Sequence, residues 1–491
     1  MLYLFTAATQ GCEFYFMNKN ITTETKDGMQ MTASTNWCVY FSNENEINLE
    51  GFGANVDRVY VPAKLITRFK RLTDTEKQAL TSINEDPETA KEICLLICKN
   101  LADTFAKSQK ANATENEING WKQLHSTLLQ KQVSNSKSTT YLKAINFLQA
   151  INVIERYEHY VISEKSMSYR FTVDYFSNKM AIVRLKTEKC ISFAKKSLLE
   201  SIAKAAKCPI ERETLRTMAL LIHIASEIML EIGKRKAKKG YINKKGKKLT
   251  FMGKHTKEYF KNFNKTRTSV EEGVELYKIL FETNGIFLPS SSENAGGRVT
   301  TAFNLLPAWI REELVVDGVK ERKDLDFTCL HPNVANNVYG GTGAHVSHDV
   351  VVEALYTSST PEEKAQKRQE VKIEHLSFFN RPLKSGMYEG RFVGGMQDSI
   401  LFDFYMKNEP KMMENIIKDK EKNGYKSTFK VLAEIETAIM KEVITTINKT
   451  NPDCRMIYVY DALEVDAKYA DVVRKTMNEV IKKAGINTQA K

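Results

Sequence analysis

Apolar and polar positions change rhythm several times along the chain. Residues 1–75 alternate short apolar runs with Asn-, Gly- and Thr-rich turns, which predicts a small strand-rich lobe. Residues 76–130 are helical in pattern and end in the polar stretch AKSQKANATENEINGW. In residues 131–185, Tyr141, Ile145, Leu148 and Ile151 recur at helical intervals behind Ser/Thr capping residues. Two short aromatic and β-branched runs follow, joined by the polar SEKSMS. Helix, strand, turn, strand is the order of a winged helix, in which the helix enters a groove and the wing, here Lys165 to Arg170, touches phosphates. The same order also serves as a packing module that binds nothing. Residues 186–290 are helical and basic, and GKRKAKKGYINKKGKKL places nine Lys/Arg between Lys234 and Lys248, around Gly233, Gly240 and Gly246. Such a run is either a solvated basic loop or one that grips a nucleic-acid backbone without reading its sequence. The gripping residues would be Lys234, Arg235, Lys238, Lys239, Lys244 and Lys245.

Composition narrows this picture only a little. A chain of 491 residues, 42% apolar and 27% charged, suits two to four ordinary globular domains. A formal net charge of +12 makes a polyanionic partner plausible without requiring one. The eight cysteines are scattered, and Cys94 and Cys98 in ICLLIC have the i,i+4 spacing of a buried helix face. A metal pair is the alternative there, but no second Cys or His pair sits at zinc-like spacing. The expectation is a reduced, cytoplasmic protein. The opening residues MLYLFTAATQGCEFYF lack a basic leader and read as a strand, and no apolar run is long enough to span a membrane.

Chemistry concentrates in four segments of the C-terminal half. They are GRVTTAFNLLP from Gly297, DLDFTCLHP from Asp324, RQEVKIEHLSFFN from Arg368 and MIYVYDALEVD from Met456. Asp326 follows an alternating run and is placed to end a strand with its carboxylate exposed. Asp461 lies at the bend of a strand–turn–strand pattern. Two strand-borne carboxylates brought together can hold two Mg²⁺ or Mn²⁺ ions about 4 Å apart. Arg368 and Lys372 are four apart, so a helix would set both on one face, with Leu376 and Asn380 continuing the stripe. Two cations on one helical face can clasp a nucleoside triphosphate; a solvated surface is the commoner meaning of such spacing.

The order and spacing of these segments resemble the family A DNA polymerases and the related single-subunit RNA polymerases. GRVTTAFNLLP is similar to the family segment that approaches primer and template, which implies a nucleic-acid contact for Arg298. DLDFTCLHP resembles the first palm motif and puts a metal ligand at Asp326, with the Phe327 carbonyl as a further ligand. R-x-x-x-K resembles the fingers helix, which implies that Arg368 and Lys372 take the phosphates while Leu376 and Asn380 meet the rest of the nucleotide. VYDALEVD resembles the third motif, with the second metal ligand at Asp461. The position beside the sugar, usually glutamate in DNA-making members, is His331. The resemblance covers about residues 285–485 and is of a divergent, phage or mobile-element type. Asn380 stands where the fingers tyrosine is usual, Arg381 replaces the glycine after it, and Tyr460 and Ala462 flank the second aspartate in place of histidine and glutamate.

The expected fold class is therefore α+β. A polymerase-type right hand, its palm and fingers at 291–491 and its basic helical thumb at 186–290, would follow the winged-helix-like module, the helical segment and the N-terminal lobe. The expected partners are a nucleic-acid primer and template and nucleoside triphosphates, with no membrane. An RNA polymerase or an untemplated transferase would share the same site. A DNA-binding replication initiator with a dead palm is the alternative of another class. Two further motifs point elsewhere. His345 and His348 have the spacing of a metal pair, but Asp349 reads as a helix cap. GGTG lacks the lysine and the length of a phosphate-binding loop.

Overall fold

The computed structural model describes residues 56–102, 104, 119–134, 139–157, 167–176, 180–222, 224–244, 246–282, 289–316, 318–319, 321–357, 360–388 and 391–491, with the backbone of five short strands between Cys12 and Asn48. Helices and small, mostly antiparallel sheets alternate, so the chain is α+β. It divides into two compact units. The first comprises residues 1–204, 219–288 and 306–318, and the second comprises 205–218, 289–305 and 319–491.

The apolar helix Pro87–Lys99 anchors one core of the first unit. Asp86 starts it by accepting from the amides of Glu88 and Thr89, and Pro87 supplies a preset first turn. Ile93, Cys94, Ile97 and Cys98 are buried with Ala144, Ile145 and Leu148 of the helix Thr140–Ala150 and with Val59 and Val61 of a strand. Cys94 and Cys98 are thus core, and burial raises both thiols.

After Thr140–Ala150 the strands Ile154–Arg156 and Ser168–Phe171 pair antiparallel, Ile154 opposite Phe171. The turn expected to form a wing, with Lys165, lies outside the described residues. Arg170 belongs to the second strand, bonded to Glu155 at 2.7 Å and lying over the Trp121 ring at 4.6 Å. Its guanidinium is engaged within the sheet rather than offered by a wing.

The first part of the basic run differs from the expected loop. Residues Ser226–Lys238 are helical, and Gly233 sits within that helix where an added Cβ would meet Val270 at 2.5 Å and Trp309 at 2.9 Å. Glycine here permits close packing around a buried tryptophan. Lys234 pairs with Glu231, and Lys236 bonds both Glu312 and Glu313 at 2.8 Å. The Nε and Nη2 atoms of Arg235 are buried. Lys238, Lys239 and Lys244 are exposed, and Lys245 lies outside the described residues.

The second unit is built on a three-stranded antiparallel sheet. Its strands are β1 (Arg322–Asp326), β2 (Met456–Val459) and β3 (Ala462–Asp466), in the order β1–β3–β2. Leu463 and Val465 alternate with Glu464, so the apolar pair enters the core while Glu464 meets Arg322 at 3.3 Å. Four helices matter to the site: α1 (Leu330–Val338), α2 (Pro361–Phe378), α3 (Ser427–Thr450) and α4 (Ala470–Lys483). Leu432, Ile439, Met440, Val443 and Ile447 of α3, with Val473 and Met477 of α4, join the sheet in one core.

Candidate two-aspartate active site

β1 ends at Asp326, and Val459 pairs with Ala462, which leaves Tyr460 and Asp461 as the whole connection between β2 and β3. Tyr460 has φ +60°, at the first position of a two-residue hairpin turn where glycine is usual. Asp326 stands opposite Ala462 in the β1–β3 ladder, and the Phe327 N–H donates to the Asp461 carbonyl at 3.4 Å. Both aspartates therefore occupy the same end of two adjacent strands. Asp326 is exposed and Asp461 half-buried. Burial first, and then the charge of Glu436, push the Asp461 carboxyl up to about 6, against the pull of His331 and Arg298.

Glu436, on α3, is fully buried and organises the neighbourhood. It accepts from Arg298 Nε at 2.8 Å, from Arg298 Nη2, and from His331 Nε2 at 2.8 Å. Burial alone would raise this carboxyl, but the His331 bond and the Arg298 charge hold it below the usual carboxylate range. His331 Nε2 also lies 3.1 Å from Arg298 Nη2, so the same nitrogen faces a donor and an acceptor. A bond to the Glu436 carboxylate requires the proton on Nε2, and the Arg298 contact is then not a hydrogen bond. The Arg298 guanidinium lies over the Phe429 and Tyr460 rings, at 5.0 and 5.1 Å. The Tyr458 hydroxyl is buried without a hydrogen-bond partner.

Glu436 is the site residue that sequence reasoning missed. A signal was present: Leu432, Ile439, Met440 and Val443 surround it at i−4, i+3, i+4 and i+7, so it stands on the apolar stripe of its helix. A carboxylate at such a position has to find partners.

α2 opens with a capping box between Thr360 and Glu363. Arg368, Lys372 and Leu376 are exposed along it, whereas Val371, His375 and Phe378 turn inward. Asn380 lies past the end of the helix, in a turn that precedes Pro382, so it does not continue the helical stripe. It lines a shallow cavity with Ser377, Arg381, Val393, Gly394, Tyr425 and Lys426. Arg368 Nε bonds Asp349 Oδ1 at 2.7 Å. Burial, then the charges of Arg368 and Lys372, push the His348 imidazole down to about 4. Burial raises the Cys329 thiol to about 11, and Arg368, Asp349 and Asp326 add smaller charge effects.

Several weaker expectations resolve differently. The helix after the GGTG loop is capped by Ser347, whose hydroxyl accepts from Val350, and not by Asp349. His345 donates from Nδ1 to the Asn487 carbonyl at 2.8 Å instead of pairing with His348. The GGTG amides turn to protein: Thr342 N–H donates to the buried Glu409 and Gly343 N–H to Asn336.

Among the described residues, no group of three or more His, Cys, Asp or Glu side chains is gathered to hold a metal ion. A cation at Asp326 and Asp461 would rest on two carboxylates plus backbone, substrate or water oxygens, a donor set suited to Mg²⁺. Among the described residues no helix is long and apolar enough to cross a membrane.

No protein-family profile matches the chain, and no curated protein matches it. Among solved structures, one likeness is the POL domain of Pol1 from M. smegmatis, in complex with DNA primer-template and dNTP. It has a TM-score of 0.37 and 11% identity, over 61% of this chain and 72% of that one. At that score the likeness decides nothing about function.

Proposed function

We propose that the second unit is the catalytic part of a metal-dependent nucleic-acid polymerase. It would add nucleoside monophosphates to a 3′-hydroxyl and release pyrophosphate. The observation that carries the reading is the placement of Asp326 and Asp461 at one end of adjacent antiparallel strands. The four ordered segments that resemble family A DNA polymerases support it, and on that resemblance the product is DNA.

In this reading Asp326 and Asp461 hold two divalent ions, with the Phe327 carbonyl as a further oxygen. Bound there, such ions would lower the pKa of the attacking hydroxyl and neutralise charge on the triphosphate. Arg368 and Lys372 hold the phosphates, Leu376 and Asn380 border the nucleotide, and His331 lies beside its sugar. Glu436 fixes the His331 ring and the Arg298 guanidinium, which sits against the primer and template. The exposed lysines 238, 239 and 244 add backbone contacts that carry no sequence information. Catalysis rests on positioning and charge neutralisation, as in other phosphoryl transfers.

The test is to incubate the purified protein with Mg²⁺ or Mn²⁺, a primed DNA template and labelled deoxynucleotides. Template-dependent extension that Asp326→Asn and Asp461→Asn each abolish is the expected result. Extension that survives both substitutions, or none from the unmodified protein with any nucleotide set, overturns the reading.

A further inference from the structure

The strand that delivers Asp326 is paired on both sides. On one side lies β3, with Ala462 opposite Asp326. On the other lies the segment Thr488–Lys491, a stretch that none of the four chemistry-bearing motifs includes. The Asp326 N–H donates to the main-chain oxygen of Lys491 at 3.3 Å, and the Lys491 N–H returns a bond to the Asp326 carbonyl at 3.0 Å. Thr328 N–H donates to the Gln489 carbonyl at 3.0 Å, and Phe327 and Ala490 form an antiparallel bridge.

This segment is itself tied down at every step. Asn337 Nδ2 donates to the Gly485 carbonyl at 2.9 Å, and His345 Nδ1 donates to the Asn487 carbonyl at 2.8 Å. Asn487 Nδ2 donates to the Gly343 carbonyl at 3.0 Å. The Thr488 hydroxyl bonds the Thr328 carbonyl, and Ala490 N–H donates to Asn478 Oδ1 on α4 at 2.7 Å. Ala490 is buried. The anchors come from α1, from the loop before His348 and from α4, so a segment remote in sequence is held against the strand end by several independent bonds.

We propose that Thr488–Lys491 is the positioning element of the Asp326 carboxylate, acting through main-chain bonds as a fourth strand of the sheet. The proposal rests on the polymerase reading for the role of Asp326. Both backbone groups of that residue are held by one partner, Lys491, while β3 holds the other edge of its strand. The carboxylate therefore starts from a fixed Cα–Cβ direction. Groups that orient a metal ligand without touching the metal typically affect affinity by about 10- to 100-fold when removed.

Mn²⁺ binding, followed by electron paramagnetic resonance, tests this on four proteins of 491 residues and one shortened protein. These are the unmodified chain, Asp326→Ala, Lys491→Pro, Lys491→Ala and a chain lacking residues 488–491. Lys491→Pro removes the N–H that bonds Asp326 and leaves the other anchors, which covers the case in which the shortened chain fails to fold. Lys491→Ala keeps the N–H and is the reference for it. The expected result is Mn²⁺ affinity about tenfold weaker or worse in Lys491→Pro than in Lys491→Ala. In extension assays the same pair should differ in kcat, with KM for the nucleotide little changed. If Asp326→Ala loses Mn²⁺ while Lys491→Pro and the shortened chain retain it, the positioning role is wrong and the polymerase reading stands. If Asp326→Ala binds Mn²⁺ like the unmodified protein, Asp326 is not a metal ligand, and both fall.

Discussion

Arg368 is joined to Asp349 by an Nε–Oδ1 bond of 2.7 Å, with both side chains about half exposed. A pair so exposed contributes about 0.2–1 kcal/mol, and the guanidinium fork suits a phosphate at least as well as a carboxylate. Asp349 would then be a placeholder that an incoming triphosphate displaces. Asp349→Asn should leave stability nearly unchanged and lower KM for the nucleotide, while Arg368→Ala raises it. Steady-state kinetics on the two variants decides the matter, and an equal loss in both would make Asp349 part of the grip.

Lys372 shares the exposed face of α2 with Arg368, and both charges push the His348 imidazole down. A cation that meets charge developing on the transferred group is worth a few kcal/mol. Lys372→Ala should therefore slow extension by roughly 100-fold or more. Full activity in that variant would leave α2 an ordinary solvated helix.

The Asp461 carboxyl should impose a pH signature. Its folded value, about 6, lies above its ordinary 3.8, so the native state holds this proton more tightly than the unfolded chain does. The stabilisation from that proton is complete below the unfolded value and is lost as pH rises through 6. A divalent cation works in the opposite sense, because it binds the deprotonated form. Mn²⁺ should thus raise Tm more near pH 7.5 than near pH 5, and Asp461→Asn should shrink the difference. Thermal melts across that range give the answer; an unchanged difference in the variant would remove Asp461 from the metal site.

Glu436 is fully buried between Arg298 and His331, so truncation strands a guanidinium that is itself largely buried. Losing one partner of a buried ion pair costs about 3–5 kcal/mol. Glu436→Ala should destabilise by that order in denaturant melts, and Glu436→Gln by less, because the amide oxygen still accepts. Removing the negative charge should also bring the Asp461 carboxyl down, which carboxylate NMR can follow.

For the sugar, the His331 ring is held at Nε2 by Glu436 at 2.8 Å and by Arg298 at 3.1 Å. The bulk of the imidazole argues for continued exclusion of ribose, and deoxynucleotides are the expected substrates. Competition between labelled dATP and ATP at equal concentration measures this, and His331→Ala should move the ratio toward ATP. Preferential ribonucleotide incorporation by the unmodified protein would reverse the choice of sugar.

The strand ending at Asp326, the bend at Asp461 and the shared face of Arg368 and Lys372 were all legible in sequence, because each depends on local periodicity and turn spacing. What escaped was decided by distant partners. Gly233 reads as a loop residue beside so many lysines, yet it lies within a helix, where the missing side chain lets Trp309 and Val270 pack close. Asn380 lies on the extrapolated helical stripe, but the approach of Pro382 ends the helix first. Glu436 becomes a site residue only when Arg298 and His331 arrive from 138 and 105 residues away. The pairing of Lys491 with Asp326 is backbone to backbone and leaves no mark in side-chain pattern.

A connection of two residues gives β2 and β3 no slack. One residue added or lost there must be absorbed by a bulge or a longer loop, or else the register of β3 shifts and sends Leu463 and Val465 to solvent and Glu464 into the core. The location of an acid and the burial of a core thus answer to one spacing. Substitution can change what stands at position 461, but a change of length would be felt by the fold before it reached the chemistry.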